Sequence, residues 1–507
     1  MSLLFVQIHF SLIHVFLFQR RFLVPSPPLP PVQDDIPAQP VGPVLIDDLP
    51  ESVPYVIVGG GTASFSAVRA IRAADPKSKV FILSQSDHLP YMKPPLSKEL
   101  WFTPPDVAKS LNFQQYDGKS RPLAFEKPDF YFPPKKLMER DSGGVCLIRG
   151  QRVTRIDCEN QIIFLENGQS LKYDKCLIAT GGEPQTHPVF ESSSPAVKEK
   201  VTDYRHVEDF LTLQSKLPQF KSVLIYGGGL LGTEMAVSMA VTTKKTGLRI
   251  VQVYPEKGLL WNLLPAYLSQ WVTKKLAAEG IEIIPESDLV SATVKDDKLC
   301  VQLTNGSEVE VDQAIVTMAS QVVEGPNKKL ADASGLEIHP KLGGFVTNAE
   351  LEARTNLWVA GDAACFYDLK LGKRRRVEQH DQAVISGRLA GENMAGSQKP
   401  LKQQAMFWSD LATDLGFEAA GLVDSSLETV GVFATDSPTQ NSESDPADQN
   451  NYERGVVFYL QDKKIVGILM MNVFNRVRLA RRILKDDRVH EDLADVAKWF
   501  NIYSQDE

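Results

Sequence analysis

Two stretches constrain this chain more than any others. In each, a short β-branched run enters a cluster of glycines and leaves as a helical pattern of small residues. The first reads Pro54-Tyr55-Val56-Ile57-Val58-Gly59-Gly60-Gly61-Thr62-Ala63-Ser64. Ala63, Ala67, Ala70 and Ala73 follow at helical spacing with Val68 and Ile71, then a break at Pro76-Lys77 and a second strand, Val80–Leu83. Gly59 allows the tight turn, Gly61 lets backbone N–H groups approach a phosphate at the helix N-terminus, and Ser64 stands where a small residue permits close packing. The second stretch is Val223-Leu224-Ile225-Tyr226-Gly227-Gly228-Gly229-Leu230-Leu231-Gly232-Thr233-Glu234, followed by a helical segment and the strand Arg249–Tyr254. Gly227, Gly229 and Gly232 meet the G-x-G-x-x-G spacing in full, and the strand–turn–helix context makes that spacing specific.

These are two βαβ dinucleotide-binding units. An acid at the end of the second strand would hold a ribose hydroxyl. In the first unit that place holds Gln85, which accepts a hydrogen bond without charge. In the second it holds Glu256, 27 residues after Gly229. A carboxylate there repels a 2′-phosphate, so the pattern predicts NAD(H) over NADP(H). Two shorter signals point to FAD in the first unit: Leu177-Ile178-Ala179-Thr180-Gly181-Gly182, and Asn356–Val359 running through Ala360-Gly361-Asp362-Ala363. We read the latter as a strand passing directly into a helix, with Asp362 placed for a ribitol hydroxyl and the helix N-terminus facing a pyrophosphate.

The order of these signals inserts one unit into the other. The expected fold is α/β: a discontinuous FAD domain over 51–200 and 326–400, an NAD domain over 201–325, and an α+β C-terminal domain over 401–507. The last carries apparent strands at Leu427–Phe433, Gly455–Leu460 and Ile465–Met471, a helical pattern at Asn475–Asp486, and a mobile loop expected at 436–451. A net charge of −8 excludes a strongly basic nucleic-acid binder as the bulk reading. The five cysteines contain no C-x-x-C, which argues against a zinc finger or a vicinal redox disulfide, and the dispersed histidines predict no metal. Residues 3–18 hold twelve apolar positions before Arg20-Arg21, and nine prolines follow between 25 and 50. The apolar stretch reads as a targeting segment, a membrane anchor or a wrongly joined first exon, with residues 1–50 as a leader and Pro-rich linker.

Longer stretches are more specific than the glycine turns. Leu89–Phe102, Trp358–Asp368, Met406–Leu411 and Gly421–Ser426 resemble the apoptosis-inducing factor family of mitochondrial FAD/NADH flavoproteins, across roughly 51–507. The resemblance implies that Gly59, Gly60, Gly61, Thr62 and Ala63 hold the FAD pyrophosphate. Lys93, Lys98, Arg205, Asp362, His380 and Trp408 are implied as further FAD contacts. Gly228, Gly229, Leu230, Leu231, Glu256, Glu378, Trp408, Glu418 and Asn472 are implied as NAD contacts. Lys98 and Glu234 resemble a buried pair beside the flavin; by residue type alone they read rather as a surface helix charge and a helix-interior acid.

This chain departs from the family at several places. Leu230 stands for a nicotinamide-stacking Phe, Gln379 for a His beside the flavin, Asn262 for a Lys near the NAD phosphates, Gln85 for the ribose Glu and Lys93 for an Arg. Glu337 and Arg354 resemble residues of an NADH-induced dimer interface, where Val346 replaces an Arg. Lys373–Arg376 and Arg476, Arg478, Arg481, Arg482 and Lys485 are basic runs. They read as phosphate contacts for non-specific DNA, as a solvated face or as a dimer contact. The implied activity is NADH oxidation by bound FAD, with NADH-linked homodimerisation, an intermembrane-space import partner, and roles in apoptosis and respiratory-chain maintenance. A scaffold of low turnover and a ferredoxin- or monodehydroascorbate-type reductase are the rival readings.

Overall fold

The computed structural model describes residues 49–115, 118–319, 326–412, 414–434 and 452–503. The stretch 3–18, nearly all of the Pro-rich segment and the loop 436–451 lie outside the described residues. The chain forms two compact units, one running to Phe407 apart from 116–119, the other containing Trp408 onward.

In chain order, the first unit contains β1 (Ser52–Val58), α1 (Thr62–Ala74), β2 (Lys79–Leu83), β3 (Gly144–Ile148), β4 (Ser170–Ile178), β5 (Val201–Asp203) and β6 (Ser222–Tyr226). It continues with α2 (Leu230–Thr242), β7 (Arg249–Val253), β8 (Glu282–Ile284), β9 (Gln313–Val316), β10 (Leu357–Val359), β11 (Ala364–Asp368), β12 (Lys373–Arg375) and α3 (His380–Met394). One sheet has the parallel order β10-β4-β1-β2-β3. The other has the parallel order β8-β7-β6-β9-β5. In each, the strand that precedes the glycine turn has a parallel neighbour on both sides, and both neighbours come later in the chain. The crevice outside the carboxyl end of that strand is where such sheets bind ligands. β1 is apolar throughout its C-terminal half because helices and neighbouring elements cover both faces of the sheet.

The helix α1 has little apolar bulk, and its partner explains why. A Cβ on Gly387 would stand 2.2 Å from Ala63 O, and one on Gly391 would stand 2.5 Å from Ala67 O. Ala63, Ala67 and Ala70 of α1 therefore meet glycines of α3, and the two backbones approach to touching distance. This contact sets His380, at the start of α3, beside Thr62, at the start of α1: His380 Nδ1 lies 3.4 Å from Thr62 Oγ1.

The second unit is a five-stranded sheet of β13 (Met406–Ala412), β14 (Leu415–Gly421), β15 (Glu428–Phe433), β16 (Gly455–Gln461) and β17 (Lys464–Met471), with the order β13-β14-β17-β16-β15. The helix α4 (Val477–Asp486) buries Ala480, Ile483 and Leu484, which leaves its arginines on the other face. The expected strands and helix of this region lie within two residues of those observed.

Alanine ordinarily stabilises a helix over glycine by about 1 kcal/mol. At Gly387 the clash with Ala63 O reverses that sign. Gly387→Ala is expected to destabilise by about 1–3 kcal/mol, the usual range for overpacking, read as a lowered thermal midpoint.

Candidate functional site

Both glycine turns take the conformation that their residues were chosen for. Gly59 has φ +113°, and a Cβ there would stand 2.3 Å from Ala179 O. Gly227 has φ +126°, and a Cβ would meet Thr317 Oγ1 at 2.6 Å. The third position differs between the turns. Gly232 packs where a Cβ would lie 2.3 Å from Gly227 O, whereas Ser64 uses its hydroxyl, donating to Gly59 O at 2.6 Å. The middle glycines face the other way: apart from their chain neighbours, no atom of the described residues lies within 4 Å of the Cβ position of Gly61 or Gly229. Each helix N-terminus thus opens onto space, with its unpaired N–H groups and positive dipole end available to an anion.

Polar groups converge around the first turn. Arg205 pairs with Asp362 at 2.9 Å and approaches Glu378 at 4.0 Å. Arg376 pairs with Glu378 at 2.9 Å and donates from Nε to Asp362 O at 2.7 Å. Lys93 donates to Arg205 O at 3.3 Å. Burial, then the Arg205 cation, lowers the Lys93 ammonium to about 7, and burial raises the Asp362 carboxyl. Six of the residues singled out by sequence (Thr62, Lys93, Arg205, Asp362, Glu378 and His380) thus fall into two contact groups. Gln379, the N-cap of α3, has a buried Oε1 with no hydrogen-bond partner among the described residues.

Lys98 and Glu234 form a buried ion pair of 2.7 Å, with side chains 11% and 6% exposed. This overturns the surface-charge alternative. Ser97 donates to the same Glu234 oxygen at 2.6 Å, and Ser238 donates to Ser97 O at 2.7 Å. The pair joins the segment after Lys93 to the first turns of α2. Burial, then the Lys98 and Arg121 cations, depresses His380 to about 4.

At the second turn, Glu256 follows β7 by three residues, and its Oε2 is buried without a partner among the described residues. Leu230 and Leu231 open α2 and are half-buried. Gly228 approaches the Tyr254 ring so closely that a Cβ would lie 2.7 Å from it. In the second unit, Trp408 lies half-buried in β13 and Glu418 is fully buried in β14. Asn472 has its amide committed to the backbone: it donates to Asp414 O at 2.6 Å and Glu453 O at 2.8 Å, and accepts from Gly416 N at 2.8 Å.

Two expectations are corrected. Gly361-Asp362-Ala363 does not open a helix; it is one 3₁₀ turn that leads into β11, and the helix begins only at His380. The intervening hairpin β11–β12 is closed by Arg375, paired with Asp368 at 2.9 Å. For the same reason the basic run is not a free face: Arg374 donates to Thr347 O and Cys365 O, and Arg376 to the Asp362–Glu378 cluster. One residue was missed altogether. Glu183, just past the A-T-G-G strand end, accepts from Gln85 Nε2 at 3.2 Å. Its carboxyl is held below the usual range by His206, by the Gln85 hydrogen bond and by Lys93, against the cost of burial. The carboxylate absent from position 85 is brought there from another strand, and the only sequence signal was an acid directly after Gly182.

The uncovered helix starts, and the buried acceptors of Gln379 and Glu256 that have no partner among the described residues, fit a dinucleotide at each turn. The residues define the class: α/β oxidoreductases with two nucleotide sites. The profile of the pyridine nucleotide-disulphide oxidoreductases matches residues 53–387, and that of the mitochondrion-associated apoptosis-inducing factor C-terminal domain matches 390–444 and 436–486. Putative apoptosis-inducing factor 1 of Drosophila melanogaster is 43% identical over 496 residues, 90% of this chain and 66% of that protein. Apoptosis-inducing factor 1 of Dictyostelium discoideum is 36% identical over 451 residues, 87% of this chain and 80% of that one. Among solved structures, a putidaredoxin reductase–putidaredoxin complex matches with TM-score 0.70 at 21% identity, covering 91% of this chain and all (100%) of that one, which shows the shared fold. The chain belongs to the apoptosis-inducing factor family, within the pyridine nucleotide-disulphide oxidoreductases, a class that uses FAD and a nicotinamide nucleotide.

Two outcomes follow from this geometry. A pyrophosphate entering beside Lys93 should draw a proton onto an amine that is largely neutral above about pH 7. Calorimetric FAD binding at pH 8, compared in two buffers of different ionisation enthalpy, should show proton uptake that Lys93→Met abolishes. Glu183→Gln should weaken FAD binding by about tenfold or more, the scale of one charge-assisted hydrogen bond, measured by flavin fluorescence.

Proposed function

We propose that this protein oxidises NADH with bound FAD and works in the mitochondrion as a redox-gated factor in apoptosis and respiratory-chain maintenance. The observation that carries the reading is the buried Lys98–Glu234 pair between the two glycine turns. Bound flavin would accept a hydride from the nicotinamide. This chain's residues supply position and field. The α1 start, with Thr62, Ala63 and Gly59–Gly61, and the cluster of Lys93, Arg205 and Asp362 would hold FAD. The α2 start, with Gly228–Leu231, and Glu256 would hold NADH. Glu378, Gln379, His380, Trp408, Glu418 and Asn472 are the remaining proposed contacts. Lys98 is a positioned cation in a dry site, where charge counts for more than in water. Glu234, 2.7 Å away, keeps it oriented.

Mitochondrial placement rests on the relatives' names, with the intermembrane space or inner membrane as the finer assignment and the nucleus after apoptotic release. Anchoring through residues 3–18, a homodimer on reduction, an import partner protein and non-specific DNA contacts from α4 belong to the same reading. Glu337 and Arg354 are the dimer candidates. A scaffold that holds FAD with little turnover is the second reading, favoured by Leu230, which offers the nicotinamide no aromatic face.

Anaerobic titration of the protein with NADH decides between them. Bleaching of the flavin with a shift to dimer on sizing supports the redox-gated factor. A yellow protein unchanged by millimolar NADH supports the scaffold. Leu230→Phe should tighten NADH binding by up to about tenfold, since an aromatic pair contributes roughly 0.5–1.5 kcal/mol.

A further inference from the structure

Glu99 stands beside the ion pair and has no part in the mechanism above. Its Oε2 is shut off from solvent and has no hydrogen-bond partner among the described residues. The charged groups facing it come from three elements: Lys98 from its own segment, Glu234 from α2, and Arg121 from the short strand Ser120–Pro122. His380 of α3 senses the same two cations and touches Thr62. The cluster therefore reaches from the start of α1 to the first turns of α2. With Glu99 ionised, two carboxylates balance Lys98 and Arg121. With Glu99 protonated, the cluster carries one net positive charge. His380, depressed to about 4, adds none near neutral pH.

We propose that Glu99 is the proton-holding residue of this site: it takes up a solvent proton when negative charge arrives between the two glycine turns, and so ties reduction of bound flavin to pH. The inference rests on the flavin reading above. The balance is simple. NADH loses a hydride and becomes NAD⁺; the flavin gains that hydride and one negative charge; one proton from solvent joins the Glu99 carboxylate. Burial already favours the neutral acid, raising Glu99 above its ordinary value, while Lys98 and Arg121 oppose this. An added anion raises it further, so proton uptake occurs between the two values.

The test is the midpoint potential of the protein-bound flavin against pH, set by a chemical reductant and indicator dyes without NADH. Between the two Glu99 values the wild-type slope should exceed that of Glu99→Gln by about 30 mV per pH unit, tenfold in a two-electron equilibrium. Arg121→Gln removes an opposing cation and should move the steep region to higher pH while leaving its slope. Superimposed wild-type and Glu99→Gln curves would overturn the proposal. Should Glu99→Gln fail to hold flavin, an unmoved Arg121→Gln curve would overturn it instead. Flavin that is reduced by the chemical reductant but not by NADH would sink the hydride reading and leave these curves decisive for Glu99. A protein that binds no flavin would overturn both.

Discussion

The Lys98–Glu234 pair is the interaction on which the architecture of the site depends. Neither charge has much access to water, so each is tolerable only in the presence of the other. Removing one partner from a buried pair typically costs about 3–5 kcal/mol. The pair also has a mechanical role. It fastens the turn that carries Lys98 to α2, and that turn is held again by Tyr204 Oη and Trp101 Nε1, which both donate to Leu96 O. The connection between the first glycine turn and the second nucleotide unit is thereby fixed in one geometry.

A second cluster of charges accompanies the pair. Arg205, Asp362, Arg376 and Glu378 alternate in sign, and Lys93 sits at the margin. Alternation keeps buried charges compensated when nothing is bound. It also fixes each charged group against its neighbours, so a ligand of opposite charge would meet groups that need little rearrangement. The depressed Lys93 marks where that compensation is incomplete.

What could be read from the chain was local. The glycine turns were legible because their conformations are dictated by backbone sterics and by one packing contact each, at Ala179 for Gly59 and at Thr317 for Gly227. Three of the five strands of the second unit were legible because β-branched and apolar runs end at clear breaks, whereas Met406–Ala412 and Leu415–Gly421 were not read as strands. The G-D-A turn was misread because a strand followed by small residues predicts a helix, and nothing local reveals that Phe366–Asp368 pairs with Lys373–Arg375, five to nine residues on. The basic run was misread for the same reason, since its acceptors at Thr347, Asp368 and Glu378 come from three segments.

The sequence by itself determined two nucleotide-binding turns, their order and their nesting, because each is encoded within about a dozen consecutive residues. Only the tertiary structure decided that Glu183 sits against Gln85, that Gly387 and Gly391 let α3 lie on α1, and that Lys98 and Glu234 are a dry pair rather than two solvated charges. Those facts join residues more than ninety positions apart. A side chain's charge state and partners follow from burial, and burial is a property of the packed chain that no window of sequence contains.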